Sequence, residues 1–132
     1  MSWNTTQPLF MQSGATLNNQ ALFVATADTL IAYNGGNAPS FNNNASGTVR
    51  AAAGKTLNVG SIAFNNNAGT LDAAAGATIN YSGGTSTFNN DTKFTGAGTN
   101  LVTNNVVFND RFTSGNLVLQ SGTYTGNAAP SW

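Results

Sequence analysis

The stretch Phe41-Asn42-Asn43-Asn44-Ala45-Ser46-Gly47-Thr48-Val49-Arg50-Ala51-Ala52-Ala53-Gly54-Lys55-Thr56-Leu57-Asn58 is followed shortly by Phe64-Asn65-Asn66-Asn67-Ala68-Gly69-Thr70-Leu71-Asp72-Ala73-Ala74-Ala75-Gly76-Ala77-Thr78-Ile79-Asn80. The two align almost residue for residue once a single gap is placed opposite Ser46. Shorter copies of the opening motif recur at Phe88-Asn89-Asn90-Asp91 and at Phe108-Asn109-Asp110-Arg111, and an earlier one begins at Leu17-Asn18-Asn19. Self-similarity at a period of roughly 20 to 24 residues is the signature of a chain built from stacked units.

Within each unit, apolar residues alternate with polar ones over four positions: Thr48-Val49-Arg50-Ala51, Thr56-Leu57-Asn58-Val59, Thr78-Ile79-Asn80-Tyr81 and Asn116-Leu117-Val118-Leu119. That is the period of a strand with one buried face, and no window carries a helical apolar stripe. Gly with Asn, Ser or Ala separates the strands and supplies the positive φ that corners need. Ala51-Ala52-Ala53 and Ala73-Ala74-Ala75 are helix formers by propensity. Each is followed at once by Gly54 or Gly76 and flanked by β-branched residues, so they read as small residues at a tight corner.

Such a unit cannot bury its apolar face alone, but stacked on a copy of itself it can. The expected fold is all-β: a parallel β-solenoid, or β-helix, of about five coils with 20–24 residues per coil. Residues 1-16 read as an N-terminal cap or linker, 17-125 as the solenoid repeats, and 126-132 as a C-terminal tail or cap, with Trp3, Pro130 and Trp132 among the covering residues. Like residues should form ladders one strand spacing apart. The first is Phe41, Phe64, Phe88, Phe108, pointing inward, and beside it run Asn42, Asn65, Asn89, Asn109, whose amides can hydrogen-bond along the stack. Second and third inward rows are Val49, Leu71, Phe94, Phe112 and Leu57, Ile79, Leu101, Leu117. Leu17 fits two of these rows. The same register sets Arg50 beside Asp72, Asp91 beside Arg111 and Asp28 beside Lys55. Opposite charges facing each other across a strand pair stabilise it.

Composition bounds the function. Only 6% of the 132 residues are charged, against about a quarter in ordinary domains. Hydrophobic residues make up 40% and aromatics 10%, which separates the chain from a disordered polar tract. Four basic and four acidic side chains leave no net charge, so no nucleic acid partner is expected, since that needs clustered Lys and Arg. The longest apolar run, Ala21-Leu22-Phe23-Val24-Ala25, is far shorter than the roughly 20 residues of a membrane-spanning helix, so no membrane insertion is expected. Met1-Ser2-Trp3-Asn4 opens without the basic and apolar regions of a signal peptide.

The pattern from Phe64 to Asn80 resembles the β-strand repeats of large bacterial exported proteins, among them autotransporter passengers and filamentous-haemagglutinin-like adhesins. The resemblance extends over Leu17 to Tyr124. It implies a secreted or cell-surface solenoid serving as a stalk, spacer or adhesive surface, and it brings no family site residue with it. Two other readings stand beside this one: a trimeric phage or virus-like fibre segment, and a glycan-binding module. The expected partners are another copy of the chain or a surface glycan or protein.

No enzyme is expected. The chain has no Glu, His or Cys, so the usual nucleophile–base pairs are missing. Asp28, Asp72, Asp91 and Asp110 are the carboxylates. Asp91 and Asp110 fall on neighbouring coils as polysaccharide-cleaving carboxylates would, but their expected neighbours are Arg111 and Asn90. No catalytic, metal or cofactor residue is assigned. Gly35-Gly36 and Gly83-Gly84 lack the Asp of calcium-binding solenoid repeats, and Gly96-Ala97-Gly98, with no helix after it, reads as a turn. Thr85-Ser86-Thr87 and Thr123-Tyr124-Thr125 have the local form of an ice-binding row but are expected at different places in the repeat. Trp3, Tyr33, Tyr81, Tyr124 and Trp132 are the aromatics able to stack on sugar rings, with Tyr81 and Tyr124 the glycan contacts the reading singles out.

Overall fold

The computed structural model describes residues 1–127, and every regular element among them is a β-strand. Six coils follow one another, each with three strands. The first holds β1 (Ser2–Trp3), β2 (Leu9–Met11) and β3 (Thr16–Asn19). The second holds β4 (Leu22–Ala25), β5 (Thr29–Tyr33) and β6 (Ser40–Asn43), and the third β7 (Thr48–Ala51), β8 (Thr56–Val59) and β9 (Ala63–Asn67). The fourth holds β10 (Thr70–Ala73), β11 (Thr78–Tyr81) and β12 (Ser86–Asn89), and the fifth β13 (Thr92–Thr95), β14 (Thr99–Val102) and β15 (Val106–Phe108). The sixth holds β16 (Phe112–Ser114), β17 (Leu117–Leu119) and β18 (Tyr124–Gly126).

Every third strand pairs in parallel, giving three six-stranded sheets: A (β1-β4-β7-β10-β13-β16), B (β2-β5-β8-β11-β14-β17) and C (β3-β6-β9-β12-β15-β18). The chain is therefore a three-sided β-solenoid. Along sheet C the stacked series Leu17, Phe41, Phe64, Ser86, Val106, Tyr124 advances by 24, 23, 22, 20 and 18 residues. Along sheet B the series Leu9, Ile31, Val59, Tyr81, Val102, Leu119 advances by 22, 28, 22, 21 and 17, so coil length varies and is shortest at the far end. The stack holds six coils rather than about five, because it begins inside the segment 1-16: β1 and β2 pair with β4 and β5 as two sides of a first coil. At the far end β18 runs through Gly126, beyond the expected boundary at 125. Pro130 and Trp132 lie outside the described residues.

Side chains alternate in and out along each strand, as the pleat requires. The inward rows meet in one core containing Phe23, Phe41, Val49, Leu57, Phe64, Leu71, Ile79, Tyr81 and Phe88, with Trp3, Leu9 and Leu17 packed against it in the first coil. Aromatic rings form a continuous column through it. Centroids lie 5.4 Å apart from Phe23 to Phe41, 5.5 Å to Phe64, 5.7 Å to Tyr81, 5.3 Å to Phe88, 5.3 Å to Phe108 and 4.8 Å to Phe112. Such pairs add about 0.5–1.5 kcal/mol each beyond the area they bury. The Ala-Ala-Ala-Gly segments are corners between sheets A and B. Lys55 N donates to Ala52 O at 2.9 Å and Ala77 N to Ala74 O at 2.8 Å, with Gly54 and Gly76 at φ 68° and 69° in the third turn position. That position takes glycine because a Cβ is strained there.

The register corrects several expected rows. Phe41 does stack on Phe64, but Phe64 stacks on Ser86, and Phe88 stacks on Asn66 and then on Phe108. The single inward Phe row is thus two half-rows offset by two residues, which keeps both facing inward and lets Tyr81 fill the step. In sheet A, Phe23, Val49, Leu71 and Phe94 stack, but Phe112 pairs with Thr92 and Ser114 takes the place over Phe94. In sheet B, Leu57 and Ile79 stack, and Asn100, not Leu101, continues the row to Leu117. Leu101 pairs with Asn80 on the outer face. Leu17 sits on Phe41, which settles its place. Thr29 pairs with Leu57, one residue off the expected match, so Asp28 meets Thr56 and accepts its backbone N–H at 2.7 Å instead of facing Lys55.

Candidate functional site

Sheet C carries the most ordered surface. Its outer middle row is Asn18, Asn42, Asn65, Thr87, Val107, Thr125. Asn42 Nδ2 donates to Asn18 Oδ1 and Asn65 Nδ2 to Asn42 Oδ1, both at 2.9 Å. At the corner leading to sheet A a second amide track runs from the second coil to the sixth. Asn67 donates to Asn44 at 3.3 Å, Asn89 to Asn67 at 2.9 Å, Asn109 to Asn89 at 2.7 Å and Asn127 to Asn109 at 2.7 Å. The expected row Asn42, Asn65, Asn89, Asn109 is therefore split between two tracks: Asn42 and Asn65 lie on one, Asn89 and Asn109 on the other. The two-residue offset that divides the Phe row divides this one at the same coil. In both tracks each amide donates toward the preceding coil.

A third track is internal. Asn19 Nδ2 donates to Asn43 Oδ1 at 2.7 Å, Asn43 Nδ2 to Asn66 Oδ1 at 2.6 Å, and Asn66 Nδ2 to Thr92 Oγ1 at 2.9 Å. These donors point the opposite way, toward the following coil. Asn43 and Asn66 are 0% exposed. Room for them comes from two glycines at the corner between sheets C and A. A Cβ on Gly69 would overlap Asn43 Nδ2 and stand 2.8 Å from Asn66 Oδ1, and one on Gly47 would overlap Asn43 Oδ1. In the next coil Thr92 stands in that place, its hydroxyl receives the last amide, and Phe88 replaces the amide position. Burying amides is costly unless they are bonded, and no buried side-chain N or O among the described residues lacks a partner.

A second buried polar cluster sits where Asn100 enters the core. It donates to Asn116 Oδ1 at 3.1 Å and to Leu71 O at 3.3 Å, and its Oδ1 accepts from the Tyr81 hydroxyl at 3.1 Å. Tyr81 is 1% exposed, and burial pushes its hydroxyl pKa well above the usual value. Tyr81 is thus removed as a glycan contact: it and Ile79 take the two inward positions of β11, so its ring belongs to the core column. Tyr124 is 39% exposed and Tyr33 41%, and Trp3 is half-buried with its Nε1 donating to Gln7 O at 3.0 Å.

The charges lie on sheet A and at corners. Arg50 Nε and Asp72 Oδ2 are 3.4 Å apart across adjacent strands. Arg111 pairs with Asp91 through two guanidinium nitrogens. The hydrogen bond from Arg111 holds the Asp91 carboxyl below its ordinary pKa, and the same bond raises that of Arg111. Asp110 Oδ1 accepts the Arg111 backbone N–H at 2.8 Å. Asp91 and Asp110 are therefore both engaged by Arg111. Among the described residues no three His, Cys, Asp or Glu side chains gather closely enough to hold a metal ion.

Thr85-Ser86-Thr87 and Thr123-Tyr124-Thr125 share one register on sheet C, since Ser86 stacks on Val106 and Val106 on Tyr124. That overturns the expectation that they occupy different places in the repeat. Thr87 and Thr125 are still separated by Val107, so the hydroxyl row is interrupted. What the outer face of sheet C offers is a set of uncharged donors and acceptors fixed one strand spacing apart. The buried Asn19, Asn43, Asn66 and Asn100 were not singled out by sequence reasoning, although counting in twos from the inward Phe41 and Phe64 places Asn43 and Asn66 inside. No protein family, curated protein or solved structure matches the chain.

Proposed function

We propose that the chain is a non-catalytic structural and adhesive β-solenoid module of a secreted or surface-exposed microbial protein. The observation that carries this reading is how the repeated residues are used. The Asn of the repeat motif join coil to coil in three hydrogen-bonded tracks, and the aromatic residues join them through the core column. A repeat spent on holding neighbours together makes a stiff body whose flat, uncharged face can present donors and acceptors to a surface. The resemblance to exported bacterial repeats supports the location.

The test has two arms. Small-angle scattering should give a body of fixed shape, and beads coated with the chain should adhere to polysaccharide- or glycoprotein-coated surfaces. Adhesion should weaken when Asn42 and Asn65 are both replaced by Lys on the outer face. Turnover of a polysaccharide that disappears in Asp91→Asn or Asp110→Asn would overturn the non-catalytic reading.

A further inference from the structure

The two ends of the stack differ in kind, and they match each other. In sheet C, Val106 N donates to Thr123 O and Asn127 N to Phe108 O, at 3.0 and 2.9 Å. Alternation along β18 therefore turns the N–H and C=O of Tyr124 and Gly126 to the open side of the sixth coil. In the first coil, Ser40 N donates to Ala15 O and Asn44 N to Asn19 O, at 3.0 and 2.9 Å. The N–H and C=O of Thr16 and Asn18 thus face away from the stack. The outer amide tracks have the same polarity. Because each amide donates toward the preceding coil, Asn127 Oδ1 ends its track as an acceptor and Asn18 Nδ2 begins the other as a donor.

Core side chains follow suit. Leu119 continues the inward row Ile31, Val59, Tyr81, Val102, and Tyr124 continues Phe64, Ser86, Val106, yet they are 44% and 39% exposed. Leu9 and Leu17 begin the same two rows in the first coil and are half-buried.

We infer that the sixth coil receives the first coil of a second copy of this chain, head to tail, with Tyr124 opposite Leu17 and Leu119 opposite Leu9. In that register Tyr124 N–H reaches Thr16 C=O and Asn18 N–H reaches Tyr124 C=O, continuing the parallel ladder. Asn18 Nδ2 comes over Thr125, and the Gln20 side-chain amide over Asn127 Oδ1. Neither β16–β18 nor β1–β3 contains a charged side chain. Unequal corners do not prevent stacking: ten residues separate Ile31 from Phe41 but five separate Val59 from Phe64, and those coils pair in full register. The contact is heterologous, so it does not close on itself and repeats as a single-file rod. The inference rests on the structural-module reading.

The experiment uses the full chain, with mass measured by light scattering on a sizing column across a wide concentration range. Mass should rise in whole monomer steps, with single-file rods in electron micrographs. Thr16→Pro removes an N–H facing the open side of the first coil, at an edge position where proline is tolerated. Leu119→Lys sets a charge on the other end, with Tyr124→Lys as an independent block of that end. Each variant alone should stay at the monomer mass. An equimolar mixture of an N-terminal and a C-terminal variant should reach twice the monomer mass and stop, because one good end of each kind remains. Wild-type chain that stays monomeric at every concentration, oligomers in a blocked variant, or a mixture that forms no dimer would each overturn the head-to-tail junction. A monomer of fixed rod shape would do so while leaving the module reading intact.

Discussion

Asn42 and Asn43 are the same residue in adjacent positions, both in amide tracks, and they should respond very unequally to alanine. Asn43 is fully enclosed: its Oδ1 accepts from Asn19, and its Nδ2 donates to Asn66 Oδ1 and, more distantly, to Gly47 O and Thr70 O. Asn43→Ala strips the buried Asn66 Oδ1 of its donor, at a cost of about 1–3 kcal/mol. The void left by the amide adds on the order of 1 kcal/mol. The expected loss is about 2–4 kcal/mol. Asn42 lies on the outer face, where water replaces the missing partner, so Asn42→Ala should fall within about 0.5 kcal/mol of wild type. Urea unfolding followed by far-ultraviolet circular dichroism reads both. With slopes of about 1–3 kcal/mol/M, a 3 kcal/mol loss moves the midpoint by roughly 1–3 M. Coincident midpoints for the two variants would refute the assignment of inner and outer tracks and the alternation on which it rests.

Four further outcomes are expected. Phe64→Ala removes a fully buried ring between Phe41 and Tyr81 and should destabilise by about 3–5 kcal/mol in the same assay; a neutral result would mean that the column is not core. Gly69→Ala drives a methyl into the Asn43 and Asn66 amides and should lower the midpoint, and Asn43→Ala in the same chain should recover part of that loss by removing one clashing partner. Asn100→Leu orphans the Tyr81 hydroxyl, so the double variant with Tyr81→Phe should be more stable than Asn100→Leu alone, because it removes that stranded hydroxyl; an additive cycle would count against the cluster. Arg111 holds the Asp91 carboxyl below its unfolded pKa, so the stability this adds is present above the ordinary carboxylate range and lost as pH falls through the folded value. The melting-temperature difference between wild type and Arg111→Gln should therefore shrink on acidification, and a difference that grows would contradict the pairing.

The sequence is most legible where two copies are nearly identical. Phe41 over Phe64, Val49 over Leu71, Arg50 over Asp72 and Leu57 over Ile79 all follow from one alignment, and with them the parallel stack itself. It misleads where a motif recurs without its register. Phe88-Asn89-Asn90 looks like Phe64-Asn65-Asn66, but Ser86 is the residue that stacks on Phe64, and Phe88 stacks two places further on, over Asn66. Corner length varies between coils, eight residues from Phe41 to Val49, seven from Phe64 to Leu71 and eight from Ser86 to Phe94, so a recurring motif does not by itself fix which residue reaches the next inward position. Leu101 misleads for a similar reason: the strand-opening Thr78 and Thr99 stack, which puts Asn100 inside. An apolar residue looks like the natural core choice, and nothing in the linear sequence announces that a buried tyrosine hydroxyl one coil away requires a polar one. The outer amide surface was legible as composition, but its division into two tracks depended on the same register.

The separation of 17 to 28 residues between stacked partners also sets how the chain can acquire its structure. Each strand pairs only with strands one coil before and after it, so a coil can form as soon as its predecessor exists. A segment of 24 residues leaves a ribosome in roughly 1–5 s at synthesis rates of about 5–20 residues per second. That is long beside the microseconds in which a simple hairpin forms. Growth from the amino terminus can therefore proceed coil by coil, each coil serving as the template for the next.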